Sequence, residues 1–390
     1  MVSTFLLDHE HQVWAKSRLR RVRSGPSVHA PLRADRLGGL LDTRDNALNF
    51  LRLVLAWMVL FGHTWWTGGF GSHATIFFGP MAVDGFFALS GFLIMGSRMR
   101  SSAWAYLRAR CLRILPAFWV NLLVTAFVFA PLAAFVERGA WFSAASALGY
   151  VARNAMLRMW VFGIDGTLVA TPLPNVWNGS LWTLFYEFSA YLVSGALLSF
   201  ALLRRTSRWW LPCLTVMVVA AYAVASGPAG VTEALVLQTL QLGGFFLAGM
   251  CAWAWRDRLP LHRLLALGSA VVLVLLFLRL DDRLFNTVAP VPLCYLLLYL
   301  GARLPVRVGV RNDISYGVYI YAYPIQQLVS ASGLNVRLGF VGTFVLVSVV
   351  TTGLAWASWV AVERPALRLK SGGEGRPRWR RLAQGTARIR

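Results

Sequence analysis

The chain has 390 residues, of which 57% are hydrophobic and only 14% charged; its 38 Lys and Arg against 16 Asp and Glu leave a formal net charge of +22. Such a composition excludes a disordered protein and an ordinary soluble domain, and an apolar chain with a basic excess reads as an all-α, polytopic membrane protein. Its cysteines, Cys111, Cys213, Cys251 and Cys294, lie far apart, mostly in apolar runs. They match no metal spacing or small disulfide scaffold, so they are assigned structural roles and no metal is expected.

In chain order, residues 1–45 mix Arg, Ser, Pro and Gly with little periodicity and no apolar core followed by a small-residue cleavage site; they read as a basic cytoplasmic tail. Residues 46–370 form the membrane domain. Windows of about 20 residues predict about ten spans, at 48–66, 76–96, 113–135, 180–202, 208–226, 234–255, 262–279, 285–301, 314–333 and 338–360. The first is weakened by Arg52 and His63, the eighth by Pro290 and Pro292. Helices are expected because lipid cannot satisfy an open backbone, and no alternating barrel pattern is present. Residues 371–390 are a second basic tail.

Orientation follows from the basic residues. Placing the N-terminus in the cytoplasm puts 31 of them on that side and six on the other. That bias predicts both termini inside and an even number of spans. The basic excess is thereby explained without nucleic-acid binding. The longest outer segment, 136–179, carries Trp141, Trp160, Asp165, Pro172 and Pro174, and is expected to form one or two surface helices with a lid-like loop.

Ionisable residues inside lipid are costly and point to function. Arg52 and His63 are eleven residues apart, about 16 Å along a helix, which puts Arg52 near the cytoplasmic face and His63 in the outer half. A snorkelling anchor also suits Arg52, and an interfacial histidine His63. Asp84 and Glu187 open helices entered from outside, so His63, Asp84 and Glu187 are expected to share an outer pocket. Next to Asp84, Ser90 and Gly91 offer a small surface for close helix contact. On the cytoplasmic side Arg98, Arg100, Arg108, Arg110 and Arg113 bridge two helices; beyond topology, such forked donors suit a ligand bearing several phosphates.

Together these groups fit coenzyme A: arginines hold the phosphorylated head, and a long pantetheine arm delivers a thioester deep into the bundle. A neutral His63 imidazole would take the proton of an acceptor hydroxyl, and Asp84 or Glu187 would fix its tautomer. A polytopic transporter or exporter of a small acid or glycoside using His, Asp and Glu is the alternative, although no inverted repeat is evident.

The blocks L-R-L-V-L-A-W-M-V-L-F-G-H at 51–63, V-D-G-F-F-A-L-S-G-F-L-I at 83–94, R-A-R-C-L-R-I-L-P-A-F-W at 108–119, N-G-S-L-W-T-L-F-Y-E-F at 178–188, I-S-Y-G-V-Y-I-Y-A-Y-P-I at 314–325 and V-E-R-P at 362–365 occur in this order. They resemble the membrane acyltransferase 3 family, O-acyltransferases of bacterial surface glycans. The resemblance implies ten core helices and His63 as the catalytic histidine, with Arg52, Arg110 and Arg113, and by proximity Arg108, near the donor. It further implies an acyl-CoA donor, with acetyl-CoA the leading case, and a polysaccharide or lipid-linked glycan acceptor on the periplasmic side of a bacterial inner membrane. Two departures stand out. The family's usual aspartate and glycine before the first-helix arginine are replaced by 48–51 with Asn46 and Asn49, and its usual histidine and tryptophan of the ninth helix by Ala322 and Tyr323. Oligomeric state is left open, since Gly243, Gly244 and Gly249 permit tight contacts within or between chains.

Overall fold

The computed structural model describes residues 36–41, 46–71, 78–309 and 312–372, so the tails expected at 1–45 and 371–390 lie almost wholly outside the described residues. Among the described residues every regular element is helical, and the one isolated bridge pairs Arg36 with Pro260. The helices are α1 (Leu37–Leu41), α2 (Leu48–Thr67), α3 (Phe78–Arg100), α4 (Ala103–Val124), α5 (Ala130–Val136), α6 (Ala144–Asn154), α7 (Trp182–Leu197) and α8 (Ala201–Arg205). They continue as α9 (Ser207–Ala225), α10 (Ala234–Ala254), α11 (Arg263–Arg279), α12 (Asp282–Val288), α13 (Pro290–Arg303), α14 (Ser315–Ala331), α15 (Leu334–Ser358) and α16 (Arg364–Arg368). π-helical turns at Thr125–Phe129 and Trp359–Glu363 join α4 to α5 and α15 to α16, making helical runs of 34 and 35 residues, the second kinked near its start at Gly339, whose φ is 64°.

Each of the ten predicted ranges falls on helix, but among the described residues six helices or helical runs meet the length and apolarity needed to cross a bilayer, and a bent pair makes up to seven. That pair is α12 and α13, which meet at 63° where Pro290 and Pro292 interrupt the eighth predicted range. The three remaining ranges coincide with α7, α11 and α14, of 16, 17 and 17 residues. These fall short of the roughly 20 residues of a full straight span.

The surface is that of a multi-pass membrane protein. On α11, Leu264, Leu267, Val271, Leu275 and Leu278 are exposed, and on α15 Val341, Val345 and Val349 repeat every four residues on the outer face. Water would penalise such stripes; hydrocarbon does not. Meanwhile the interior holds Asn121, Asn178, Gln326, Gln327 and Thr351, each at most 1% exposed. Two glycines set the tightest crossing: a Cβ on Gly91 of α3 would lie 1.9 Å from the Phe246 carbonyl oxygen of α10, and one on Gly249 would lie 2.0 Å from that of Ala88. Backbones can approach this closely only where side chains are missing.

The 136–179 segment supplies one surface helix, α6. The rest is irregular chain held in part by its own polar groups: Asn154 accepts from the Trp160 and Val161 amides and donates to the Val161 carbonyl, and the Trp177 indole donates to Thr167. Gln327 of α14 donates to the Leu173 and Val176 carbonyls at 2.7 Å each, tying the segment to the bundle.

Candidate active site

One end of the bundle gathers the last turns of α2, α9 and α11 and the first turns of α3, α7, α10 and α12. Between them lies a cavity of about 400 Å³, lined by His63, Asp84, Ser180, Thr183, Gln238, Gln241, Asp281, Asp282 and Asn286, with Trp66, Trp182, Tyr222 and Tyr319 among its aromatic walls. That volume is in the range of small-molecule sites. His63 and Asp84 therefore line one cavity. Glu187 is not among the lining residues. It sits one turn further along α7, where it accepts hydrogen bonds from Ser90 at 2.8 Å and from Tyr191.

The His63 ring packs edge-on against Tyr323, with centroids 5.2 Å apart. Tyr323 thus fills space beside the imidazole at one of the positions where the sequence departs from the family pattern. Its ring fits only because residue 179 is glycine, since a Cβ there would come within 2.4 Å of it. The neighbouring Asn178, fully buried, donates to Tyr150 at 2.6 Å and Thr125 at 3.2 Å, and Tyr319 donates to the Ser180 carbonyl at 2.7 Å. The three residues of the N-G-S block therefore divide the work, with Asn178 anchoring the entry to α7, Gly179 admitting Tyr323 and Ser180 lining the cavity. His63 Nδ1 is buried with no hydrogen-bond partner, so neither carboxylate holds the ring through that nitrogen. Asp84, 1% exposed, instead accepts from Gln241 at 3.1 Å.

The arginines collect at the opposite end. Arg52 and Arg113 both donate to Asp313 Oδ2, at 2.8 and 2.7 Å, and Arg113 also reaches Glu363 at 3.3 Å. Asp313 Oδ1 accepts from the Ser315 hydroxyl at 2.6 Å and its amide at 3.3 Å, so both oxygens are occupied. Burial alone would raise this loop carboxyl, but the Arg113 and Arg52 guanidiniums, with Ser315, hold its pKa at about 2. Arg110 lies over the Tyr106 ring at 6.0 Å and donates weakly to Ser97 at 3.4 Å, while its buried Nε has no partner. Arg108 is turned away, donating to the Leu369 carbonyl. Beside the cluster a second cavity, of about 550 Å³, is lined by Asn49, Arg307, Asn312, Asp313, Ser315 and Trp356. Asn49, another departure from the family pattern, donates to the Gly309 carbonyl at 2.9 Å and pins the loop that leads to Asp313.

Asp313 and Glu363 were not singled out by sequence reasoning, although Asp313 stands next to the block at 314–325 and Glu363 lies inside V-E-R-P at 362–365. A count of excess positive charge near Arg52 and Arg113 was the available signal, because buried cations require counter-charges. The two cavities share no lining residue. Between them lie Ser90, Glu187 and Tyr191, linked by hydrogen bonds, and Tyr316, over which Arg113 sits at 5.8 Å. Among the described residues no three His, Cys, Asp or Glu come together as a metal-binding group.

Comparison with known proteins decides the family: the acyltransferase 3 model, described as an acyltransferase domain, matches residues 45–360. The chain belongs to the acyltransferase 3 family. As an acyltransferase 3 member it resembles an "O-acetyl transferase" of Shigella phage Sf6, 27% identical over 82% of this chain and 96% of that protein. It also resembles "Nodulation protein 10" of Rhizobium leguminosarum bv. viciae, 27% identical over 84% and 94%. A third acyltransferase 3 relative is "Exopolysaccharide production protein ExoZ" of Rhizobium meliloti, 26% identical over 81% and 96%. No solved structure matches.

Proposed function

We propose that this acyltransferase is a membrane O-acetyltransferase, taking an acetyl group from cytoplasmic acetyl-CoA to a hydroxyl of an extracytoplasmic or lipid-linked polysaccharide. The observation that carries this reading is the position of His63 on a cavity at the bundle end opposite the Arg52, Arg113 and Asp313 cluster. Relatives of nearly the same length named for O-acetyl transfer and exopolysaccharide production support the acetyl donor and the glycan acceptor. The bias of basic residues supports an arginine end facing the cytoplasm of an inner membrane, and ten crossings, with α7, α11 and α14 as the short ones, are the even number that this orientation requires.

In this scheme, forked guanidinium donors of Arg52, Arg110 and Arg113 hold the phosphorylated head of the donor. Since Nδ1 is sealed off, His63 works through Nε2. It withdraws the proton of the acceptor hydroxyl as that oxygen bonds to the thioester carbonyl carbon; the C–S bond then breaks, and the proton is returned to the departing thiolate. Asp84 accepts hydrogen bonds from the acceptor within the cavity. Glu187, Ser90 and Tyr191 flank the route between the two ends, which opens when donor is bound.

Membranes carrying the full chain, incubated with labelled acetyl-CoA and followed by mass measurement of the glycan, test this. A His63→Ala variant present at normal level in the membrane is expected to leave the glycan unmodified. Acetylation retained in that variant would remove the assignment.

A further inference from the structure

We infer that the His63 cavity selects for an acceptor sugar that carries no negative charge, a deepening of the reading above on which it rests. The lining is opposite in charge to the rest of the molecule. A chain with 38 basic and 16 acidic residues places Asp84, Asp281 and Asp282 here and no Lys or Arg. Arg279 and Arg283 flank the latter two in sequence without lining the cavity. The Arg283 guanidinium is turned away, donating to the Ala223 carbonyl at 3.1 Å and standing where a side chain on Gly227 would be.

The polar side chains of the lining suit an uncharged sugar. Gln241 gives an amide hydrogen to Asp84 at 3.1 Å and Asn286 gives one to the Tyr222 hydroxyl at 3.2 Å. Their carbonyl oxygens and the Asp281 and Asp282 carboxylates accept, and the second amide hydrogens of Gln241 and Asn286 and the Gln238 amide donate, so the polar lining matches the mixed donors and acceptors of sugar hydroxyls. Hydroxyls of a sugar can donate to that surface. A uronic-acid carboxylate would meet the like charge of Asp281 and Asp282 with no Lys or Arg in the lining to offset it. Trp66 and Trp182 also line the cavity, and aromatic surface of this kind suits the C–H face of a pyranose ring, which needs no charge either.

The test uses two oligosaccharides of equal length, one of glucose and one of glucuronate, as acceptors for labelled acetyl-CoA in membranes carrying the full chain. Glucose oligosaccharide is expected to show kcat/KM at least tenfold above glucuronate. Asp281→Asn with Asp282→Asn is expected to narrow that ratio severalfold; asparagine keeps the cap that Asp281 provides to the Leu284 amide at 3.0 Å. Asp282→Lys is expected to narrow it further. Equal rates for both sugars in the parent chain, or a ratio unmoved by all these variants, would overturn the inference. Should both sugars be acetylated alike, yet only when His63 is present, the charge selection fails and the transferase reading stands. Acetylation that persists in His63→Ala defeats the transferase reading itself.

Discussion

Asp313 illustrates how much a single residue can organise. One carboxylate oxygen receives Arg52 from α2 and Arg113 from α4, so two helices and the loop before α14 share one ion-pair centre. Removing one partner of a buried ion pair leaves the others uncompensated, at a cost of about 3 kcal/mol. Arg113 would keep Glu363 at 3.3 Å; Arg52 would lose its ion-pair partner. Asp313→Asn is therefore expected to lower the unfolding midpoint in detergent and to raise KM for acyl-CoA tenfold or more, with a smaller change in kcat. Its pH signature is also fixed. The folded pKa of about 2 lies below the ordinary value of 3.8, so the carboxylate's contribution is complete above about pH 4 and fades as pH falls toward 2. Between pH 5 and 9 the rate profile of Asp313→Asn should parallel that of the parent chain, lowered but unshifted. A displaced midpoint in that window would mean that Asp313 is not the permanently charged counter-ion described here.

At the scale of elements, packing between α3 and α10 is the contact least tolerant of change. Gly91→Ala drives a methyl into the Phe246 carbonyl, and Gly249→Ala drives one into that of Ala88. Neither obstacle is a flexible side chain, so the backbones must separate, at about 3 kcal/mol, the upper end for overpacking. Gly268, in α11, has open space around its missing Cβ and no positive φ. There alanine should stabilise by up to about 1 kcal/mol through helix propensity. Thermal unfolding of the purified protein in detergent should place Gly91→Ala and Gly249→Ala below the parent chain and Gly268→Ala at or above it. A similar loss in all three would point to general fragility instead of a close helix crossing. The G-F-F-A-L-S-G-F block announces this contact in the sequence, because small residues in an apolar run have few other uses.

For the whole molecule, residues that carry their own cost were legible in the sequence. His63, Asp84 and the arginines stand out because lipid penalises them, and their positions along the spans separate the two groups toward opposite ends of the bundle. What the sequence could not supply was pairing across long separations. Arg52 and Asp313 are 261 positions apart, and Arg113 and Glu363 are 250 apart. Nor could depth alone distinguish Asp84, which lines the cavity, from Glu187, which is one helical turn beyond Thr183 and satisfied by Ser90 and Tyr191.

The separation of the two ends has a consequence that can be read from outside the membrane. Arg205 and Ala229, both exposed, flank α9, whose 19 residues span about 28 Å, so they bracket one crossing. In the orientation proposed from the basic residues, Ala229 shares the cavity end with His63, and Arg205 shares the end of Arg52 and Arg113. With the four native cysteines replaced, Ala229→Cys should react with a membrane-impermeant maleimide in intact cells. Arg205→Cys should react only after the membrane is opened. Labelling of Arg205→Cys from outside would invert the molecule, exposing the arginine cluster to the exterior and leaving the acetyl donor no cytoplasmic mouth. Labelling of both from one side would remove α9 as a crossing and break the alternation that sets His63 and the arginines on opposite faces.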